Sequence, residues 1–350
     1  MLIGIAKQAR QGAVLEEKAR VEYRELPTRR LLNRCAAGSL MPFDWTLNPY
    51  RGCEFGCKYC YARYTHEFME YRDPADFERL IFAKGFDAAG FARELKAVKP
   101  GEWMAMGTAT DAYQPAERRY GITRAVLEVL AWKQGYQLAI TTKSDLVARD
   151  AGLLARIAQR NRVRVNMTVT TMDAALARLM EPMAPRPDLR TAAIRKLADA
   201  GVETAVFTSP VMPGINDSEE SLEAVAKAAA EAGARSFGAQ LLFLKECARV
   251  VFLPVLAEKY PHLSKAYSAV YGRSGYVRGE QAGRLKERVE GLRERYGLRG
   301  TKAEAVWGQL ELFPRQPSGL DAEAGRRVAG RAVGLGDGDG VAVAYREVVG

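Results

Sequence analysis

The chain has 350 residues, of which 48% are hydrophobic and 27% are charged, a composition that suits a folded protein and excludes disorder throughout. No apolar run approaches the roughly 20 residues that span a bilayer, so we expect no membrane partner and a cytoplasmic location. The net charge of +10 favours a polyanionic partner such as DNA or RNA, although solvated surface arginines explain it equally well.

Strands and helices are predicted to alternate from about residue 44 to residue 260. A strand is expected just before Cys53. The later predicted strands are EWMAMGTAT, YQLAITT, RVRVNMTVTT, VETAVFTSP and RSFGAQLLFL, with a helix expected before each. Six such units imply a parallel sheet that right-handed crossovers curl into a full or partial barrel. Its chemistry is expected at the carboxyl ends of the strands.

The flanking regions differ from this core. Residues 1–43 are predicted to contain a short helix and to cover one end of the barrel. Residues 261–313 read as a polar, helical C-terminal extension, and residues 314–350 are rich in Gly, Ala and charge. Such a composition buries too little apolar surface to offset chain entropy, so we expect a mobile tail.

Three of the five cysteines, Cys53, Cys57 and Cys60, have the spacing C-x3-C-x2-C. Tight clustering and an odd total argue against a secreted disulfide framework and favour a metal or redox site. Three thiolates could hold a [4Fe-4S] cubane and leave one iron open. Structural zinc is the alternative, but it needs a fourth ligand, and neither His66 nor Cys35 stands at a familiar spacing.

This motif, with an aromatic residue before the third cysteine and at the start of a βα array, resembles the signature of radical S-adenosylmethionine (radical SAM) enzymes. The resemblance implies a [4Fe-4S] cluster whose open iron binds SAM. An electron from a donor such as flavodoxin or ferredoxin would pass through the cluster and cleave SAM to methionine and a 5′-deoxyadenosyl radical, which abstracts hydrogen from the substrate. The implied fold is a partial (β/α)6 TIM-like barrel.

Longer runs narrow the resemblance. Over roughly residues 28–260 they are similar to sequences of the spore photoproduct lyase-like branch, whose members are described as DNA repair lyases. The matching runs are LNPYRGCEFGCKYCYAR, TDAYQPAERRYGITRAVLEVL, TTKSDLVARD, EPMAPRPDLR and PVMPGIND. A nucleic-acid substrate is therefore expected first. Radical SAM chemistry on a peptide or small metabolite, and a non-enzymatic iron–sulfur or zinc-binding module, remain as alternatives.

The resemblance also implies roles for individual residues. Tyr59 would lie near the adenine of SAM, and Lys143 would approach its carboxylate and, with Tyr61, belong to the catalytic group. Thr108, Thr110 and Asp111 would contact the methionine moiety of SAM. Thr168 and Thr170, in the fourth strand, would contact the ribose, and Asn216 would contact the adenine. The family more usually has a Gly-Glu pair where this chain has GTATD. Bracing of the loops, or a helix cap at Asn216, would explain several of these residues without a ligand.

One departure bears on the reaction. Spore photoproduct lyases use a cysteine beyond the cluster loop to return a hydrogen atom to the product radical, but here no cysteine lies between Cys60 and Cys247. Cys247 is expected to be a buried, inert thiol unless the chain turns inward there. We therefore predict that the protein does not repair the spore photoproduct efficiently, with Tyr61 or solvent as the quenching group.

Overall fold

The structure is a computed structural model that describes residues 2–17, 20–28, 30–36, 41–272, 275–277 and 279–300. Its strands are β1 (Val14–Glu17), β2 (Glu22–Leu26), β3 (Leu32–Arg34), β4 (Trp45–Leu47), β5 (Tyr50–Arg51), β6 (Leu80–Lys84), β7 (Trp103–Met106), β8 (Gln137–Thr142), β9 (Arg162–Thr168), β10 (Glu203–Val211) and β11 (Ser236–Leu241). They form a seven-stranded and a four-stranded sheet.

The described helices are α1 (Gly4–Gln11), α2 (Tyr64–Glu67), α3 (Asp76–Arg79), α4 (Ala88–Glu94), α5 (Pro115–Tyr120), α6 (Ile122–Leu130), α7 (Ala151–Ala158), α8 (Ala174–Met180), α9 (Pro187–Asp199), α10 (Glu219–Glu231), α11 (Glu246–Lys259), α12 (Ser264–Tyr271) and α13 (Glu280–Tyr296). Short 3-10 helices cover Tyr61–Arg63, Leu95–Ala97, Asp145–Asp150 and Pro261–Leu263. None of the helices in the described ranges is long and apolar enough to cross a membrane.

The larger sheet has the order β11-β10-β9-β8-β7-β4-β3. Six strands of this sheet are parallel to their neighbours: β4, β7, β8, β9, β10 and β11. Strand β3 is an antiparallel edge strand. These six parallel strands confirm the six predicted units and the partial-barrel fold class. Alternation gives the sheet two unlike faces. One face packs large residues such as Met104, Ile140 and Val165 against the helices, and the other carries Ala105, Ala139 and Ala205.

The N-terminal region is more structured than the sequence predicted. The expected short helix is α1, but strands β1 and β2 join β6 and β5 in the four-stranded sheet, in the order β1-β2-β6-β5. Strand β2, EYREL, is hard to recognise in the sequence because it is short and three of its five residues are charged. The domain boundaries stay predictions. The predicted extension is described only as far as residue 300, and the predicted tail, 314–350, lies outside the described residues.

Two other differences lie near the carboxyl ends of the strands. The predicted strand RVRVNMTVTT ends at Thr168, so the placement of Thr170 within that strand is wrong. The chain turns there because the Asp173 carboxylate caps α8, a helix that the sequence analysis missed.

Candidate functional site

The cysteine loop is held at its start by a glycine. Gly52 has φ +78°, and a Cβ there would lie 2.7 Å from the carbonyl oxygen of Leu80 and 2.8 Å from that of Phe77. The amide of Cys53 then donates to the same Phe77 oxygen over 2.9 Å. Any larger residue would push the loop away from α3 and β6, so Gly52 fixes where the first thiol stands.

The three thiols of the loop lie near one another and are largely shielded from solvent. Cys53 and Cys57 are buried, Cys60 is half-buried, and none is in a disulfide. Burial raises the pKa of Cys57 to about 12 and that of Cys53 well above its usual range, and Cys57 and Cys60 each raise the pKa of Cys53 further. Burial disfavours the thiolate forms of these cysteines, and a positively charged centre bound to them would favour those forms. The donor set therefore fits an iron–sulfur cluster.

Among the described residues, no group of three or more His, Cys, Asp or Glu side chains is gathered as a single metal ion would require. A cubane makes a different demand, since each of its irons takes its own outer ligand.

A buried arginine braces the loop from below. Arg63 donates from Nη2 to the carbonyl oxygen of Cys57 over 3.0 Å and from Nη1 to that of Pro74 over 2.6 Å, and it forms an ion pair with Glu78. Its guanidinium is fully buried, so it ties Cys57 to the segment before α3. The sequence analysis missed this residue, whose only signal is a position three residues after Cys60.

Two side chains at the start of α5 hold the other side of the loop. The hydroxyl of Thr110 donates to the carbonyl oxygen of Gly52 over 2.5 Å, and the amide of Gln114 donates to the same oxygen over 2.9 Å. In return, the amide of Glu54 donates to Gln114 Oε1 over 3.0 Å. The hydroxyl of Thr110 is thus engaged by the loop, and its predicted contact with SAM stays a prediction.

Thr108 and Tyr61 meet at the end of β7. The side-chain amide of Asn48 donates to the Thr108 hydroxyl over 3.1 Å, and the Tyr61 hydroxyl donates to the carbonyl oxygen of Thr108. Tyr61 therefore reaches from the cluster loop to the end of a central strand.

Asp111 joins the ends of β7 and β8. Its carboxylate accepts from the Thr142 hydroxyl and the Lys143 amide, each over 2.7 Å, and from the Tyr113 amide over 2.9 Å. Burial raises the pKa of Asp111 against these hydrogen bonds. The carboxylate fixes the backbone that presents Lys143, and its own predicted cofactor contact remains untested.

Lys143 faces the cysteine loop. Its Nζ lies 5.7 Å from the centre of the Tyr59 ring. Burial lowers the pKa of this ammonium, but Cys57 and Glu181 outweigh that effect and raise the pKa. A cation that stabilises the thiolate form of Cys57 therefore stands at the carboxyl end of β8.

A buried ion pair stands behind Tyr59. Arg190 Nη2 lies 2.5 Å from Glu181 Oε2, and both side chains are about 1% exposed or less. The hydroxyls of Tyr59 and Thr170 donate to Glu181 Oε1, the second over 3.1 Å. Burial opposes the charge of Glu181, but Arg190 and then Lys143 outweigh it and lower the pKa of this carboxyl. The pair positions Tyr59, the residue before Cys60.

Thr168 and Asn216 are the remaining residues that were predicted to contact SAM. Thr168 is buried, and its carbonyl oxygen accepts from Arg190 Nη1 over 3.1 Å. Asn216 is fully buried and donates to the carbonyl oxygens of Thr170 and Pro210 over 2.8 and 3.2 Å. The amide of Met212 donates to Asn216 Oδ1 over 2.5 Å. Their predicted contacts with ribose and adenine stay predictions.

Cys247 is closer to the site than expected. The chain turns inward after β11, and the half-buried thiol lies 3.6 Å from the carbonyl oxygen of Tyr61. Burial raises its pKa to about 11, with further increases from Glu67 and Cys60, so the thiol keeps its proton at neutral pH.

Comparisons with known proteins agree with this geometry. The family model described as "Radical SAM superfamily" matches residues 47–226. An uncharacterized protein of Mycobacterium bovis is 35% identical over 304 residues, which cover 84% of this chain and 88% of that protein. An uncharacterized protein of Methanocaldococcus jannaschii is 28% identical over 175 residues, covering 50% of this chain and 63% of its own length.

Solved structures of spore photoproduct lyase share the fold. The lyase complexed with dinucleoside spore photoproduct has a TM-score of 0.58 at 17% identity, covering 78% of this chain and 79% of that chain. A mutant lyase with bound AdoMet and dinucleoside spore photoproduct has a TM-score of 0.56 at 15% identity, covering 83% and 86%.

Proposed function

Since the chain belongs to the radical SAM superfamily, enzymes that use an iron–sulfur cluster and SAM, we propose that it is a lyase-like enzyme acting on nucleic acid. The observation that carries the proposal is the cysteine loop, in which Cys53 and Cys57 are buried, Cys60 is half-buried, and Cys57 and Cys60 both raise the pKa of Cys53. In this proposal Cys53, Cys57 and Cys60 are the ligands of a [4Fe-4S] cluster.

With a cluster held by Cys53, Cys57 and Cys60, the site would supply the single electron, received from a flavodoxin or ferredoxin, that cleaves SAM and makes hydrogen abstraction from the substrate possible. The chain supplies position and charge. Lys143 places a cation beside Cys57, where it also suits the carboxylate of SAM. Glu181 and Arg190 hold Tyr59, and the close packing of Gly52 against Leu80 and Phe77 fixes the position of Cys53.

Two features support a nucleic acid as the substrate. The net charge of +10 favours a polyanion, since each neutralised phosphate releases counterions. The fold is shared with a lyase whose structure holds a dinucleoside. DNA repair, rather than RNA modification, is the first form of this proposal, and a cytoplasmic location goes with it.

We propose that the enzyme does not repair the spore photoproduct efficiently. The hydrogen-donating cysteine that the lyases have beyond the cluster loop has no counterpart between Cys60 and Cys247 in this sequence. Tyr61, whose hydroxyl reaches the end of β7, or solvent would complete a different quenching step.

The test is direct. The anaerobically reconstituted enzyme is incubated with SAM, a strong reductant and genomic DNA or total RNA, and the nucleosides are then analysed by mass spectrometry. A nucleoside that changes only when SAM and reductant are both present supports the proposal. SAM cleavage with unchanged DNA and RNA would instead favour a peptide or small-metabolite substrate.

A further inference from the structure

Five aromatic side chains form a continuous row at the mouth of the barrel, next to the cluster loop. The aromatic row consists of Tyr276, Phe243, Tyr61, Tyr64 and Phe68. Successive ring centres are separated by 4.4, 6.2, 6.4 and 5.6 Å. Tyr61, the middle ring of the row, directly follows Cys60, a proposed cluster ligand. The row therefore extends in both directions from the cysteine loop.

The row is not part of the hydrophobic core. Four of its rings are half-buried, and Phe68 is 37% exposed. Core aromatics elsewhere in the described residues, such as Phe77, Phe91 and Phe252, are 0–1% exposed. The row therefore keeps ring surface in contact with solvent at the place where a substrate must approach.

The backbone is shaped to bring two of the rings together. A Cβ on Gly275 would lie 2.8 Å from Phe243 Cε2, and the carbonyl oxygen of Gly275 accepts from the Leu244 amide over 2.9 Å. A side chain at position 275 would have to displace the Phe243 ring, on which the next residue, Tyr276, stacks at 4.4 Å.

A cation stands over the same row. Lys245 Nζ is 3.7 Å from the centre of the Tyr64 ring, and Arg249 lies one helical turn further on, with Nη1 3.0 Å from the carbonyl oxygen of Tyr271. Burial lowers the pKa of Lys245, and Cys247 and then the neighbouring acid, Glu67 on α2, oppose this decrease. Half-exposed rings interleaved with a cation are the surface that binds unpaired nucleotides, in which bases stack and phosphates meet the positive charge.

We propose that the aromatic row is the platform on which unpaired bases of a single-stranded or flipped-out nucleic acid stack, with Lys245 meeting their backbone. The inference rests on the proposed function and specifies its substrate: the reacting nucleotide is presented outside a duplex, and its neighbours stack on Phe243 and Tyr276. Phe243 and Tyr276 stack on each other at 4.4 Å and 27°, so an unpaired base would extend this stack from its outer ring face.

The experiment measures binding of a fluorescein-labelled oligothymidylate of 12 nucleotides, and of the matching RNA, to the anaerobically reconstituted full-length enzyme by fluorescence anisotropy. Phe243→Leu keeps apolar packing but removes the aromatic face, so affinity should fall about 5- to 150-fold, the effect of losing one stacked base. Phe243→Trp should restore it. Trp132→Ala is the matched control, since Trp132 is 87% exposed at the opposite end of the barrel, and it should bind like the wild type.

The salt dependence separates stacking from charge. Phe243→Leu should leave the slope of log affinity against log salt unchanged, whereas Lys245→Gln should reduce its magnitude by about 0.7. Wild-type binding that persists undiminished in both Phe243→Leu and Tyr276→Leu would overturn the stacking platform alone. A wild-type enzyme that cleaves SAM but binds neither DNA nor RNA would instead overturn the nucleic-acid substrate, and the platform with it.

Discussion

Removing the arginine of the buried ion pair should destabilise the protein strongly and in a pH-dependent way. In Arg190→Leu the carboxylate of Glu181, less than about 1% exposed, loses its partner at 2.5 Å. An uncompensated buried charge costs about 3–5 kcal/mol. The same change leaves the carbonyl oxygens of Pro185 and Thr168 without their donor, so the loss should not fall below this range.

The pH dependence follows from the sign of the pKa shift. The folded wild type holds the pKa of Glu181 below its unfolded value, so the pair contributes stability above about pH 4.3 and loses it as the pH falls through the folded pKa. Without Arg190, the largest effect that lowers the pKa of Glu181 is lost, and burial shifts this pKa upward against the remaining effects of Lys143 and Tyr59. The destabilisation of Arg190→Leu should then be greatest at neutral pH and shrink in acid, where the carboxyl is protonated.

Urea unfolding of the apoprotein, followed by tryptophan fluorescence at pH 7 and pH 5, measures these differences. Adding Glu181→Gln to Arg190→Leu should recover about half of the loss or more, because a neutral amide replaces the unpaired charge. The control is Arg186→Leu, which removes an exposed pair with Asp188 and should cost about 0–1 kcal/mol. A cost for Arg190→Leu below about 1 kcal/mol, or one that is equal at both pH values, would refute the reasoning.

Three further outcomes are expected. Gly52→Ala should lower the iron content after reconstitution, because its Cβ would meet two carbonyl oxygens, while Gly101→Ala, with φ +89° and open space, should keep full iron; equal iron contents in a colorimetric assay would contradict this. Burial, and then Arg51, lowers the pKa of Lys84 to about 7, whereas the unfolded chain keeps that proton to about pH 10.4. The free energy of unfolding should therefore rise with pH between these values, and Lys84→Met should flatten the rise; an unchanged slope in the variant would show that another group is responsible. A spore-photoproduct dinucleotide should be converted slowly at most, so rapid, multiple-turnover release of thymidylyl-thymidine that persists in Cys247→Ala would disprove the predicted departure from the lyases.

The sequence predicted the barrel because its strands and helices have clear periods. Each crossover helix has an apolar face, and Gly201 and Gly233 end two of them with φ +81° and +84°. The cysteine motif was equally easy to recognise, since three thiols lie within eight residues and their spacing needs no tertiary information.

Contacts between residues that are far apart in the sequence could not be predicted. The Glu181–Arg190 pair, the grip of Arg63 on Cys57 and the inward turn to Cys247 each depend on the path of the chain between elements. The small sheet was missed for a related reason: β2 pairs with β6, more than fifty residues away, and strands this short have no alternation long enough to detect.

The most direct measurement is iron content together with 5′-deoxyadenosine formation, made on the same anaerobic preparation supplied with SAM and a strong reductant. The wild type should hold about four irons per chain and release 5′-deoxyadenosine, and Cys57→Ala should lose both, while Cys35→Ala, a buried cysteine outside the loop, should lose neither. Full iron and undiminished SAM cleavage in Cys57→Ala would contradict the assignment of the cluster to this loop.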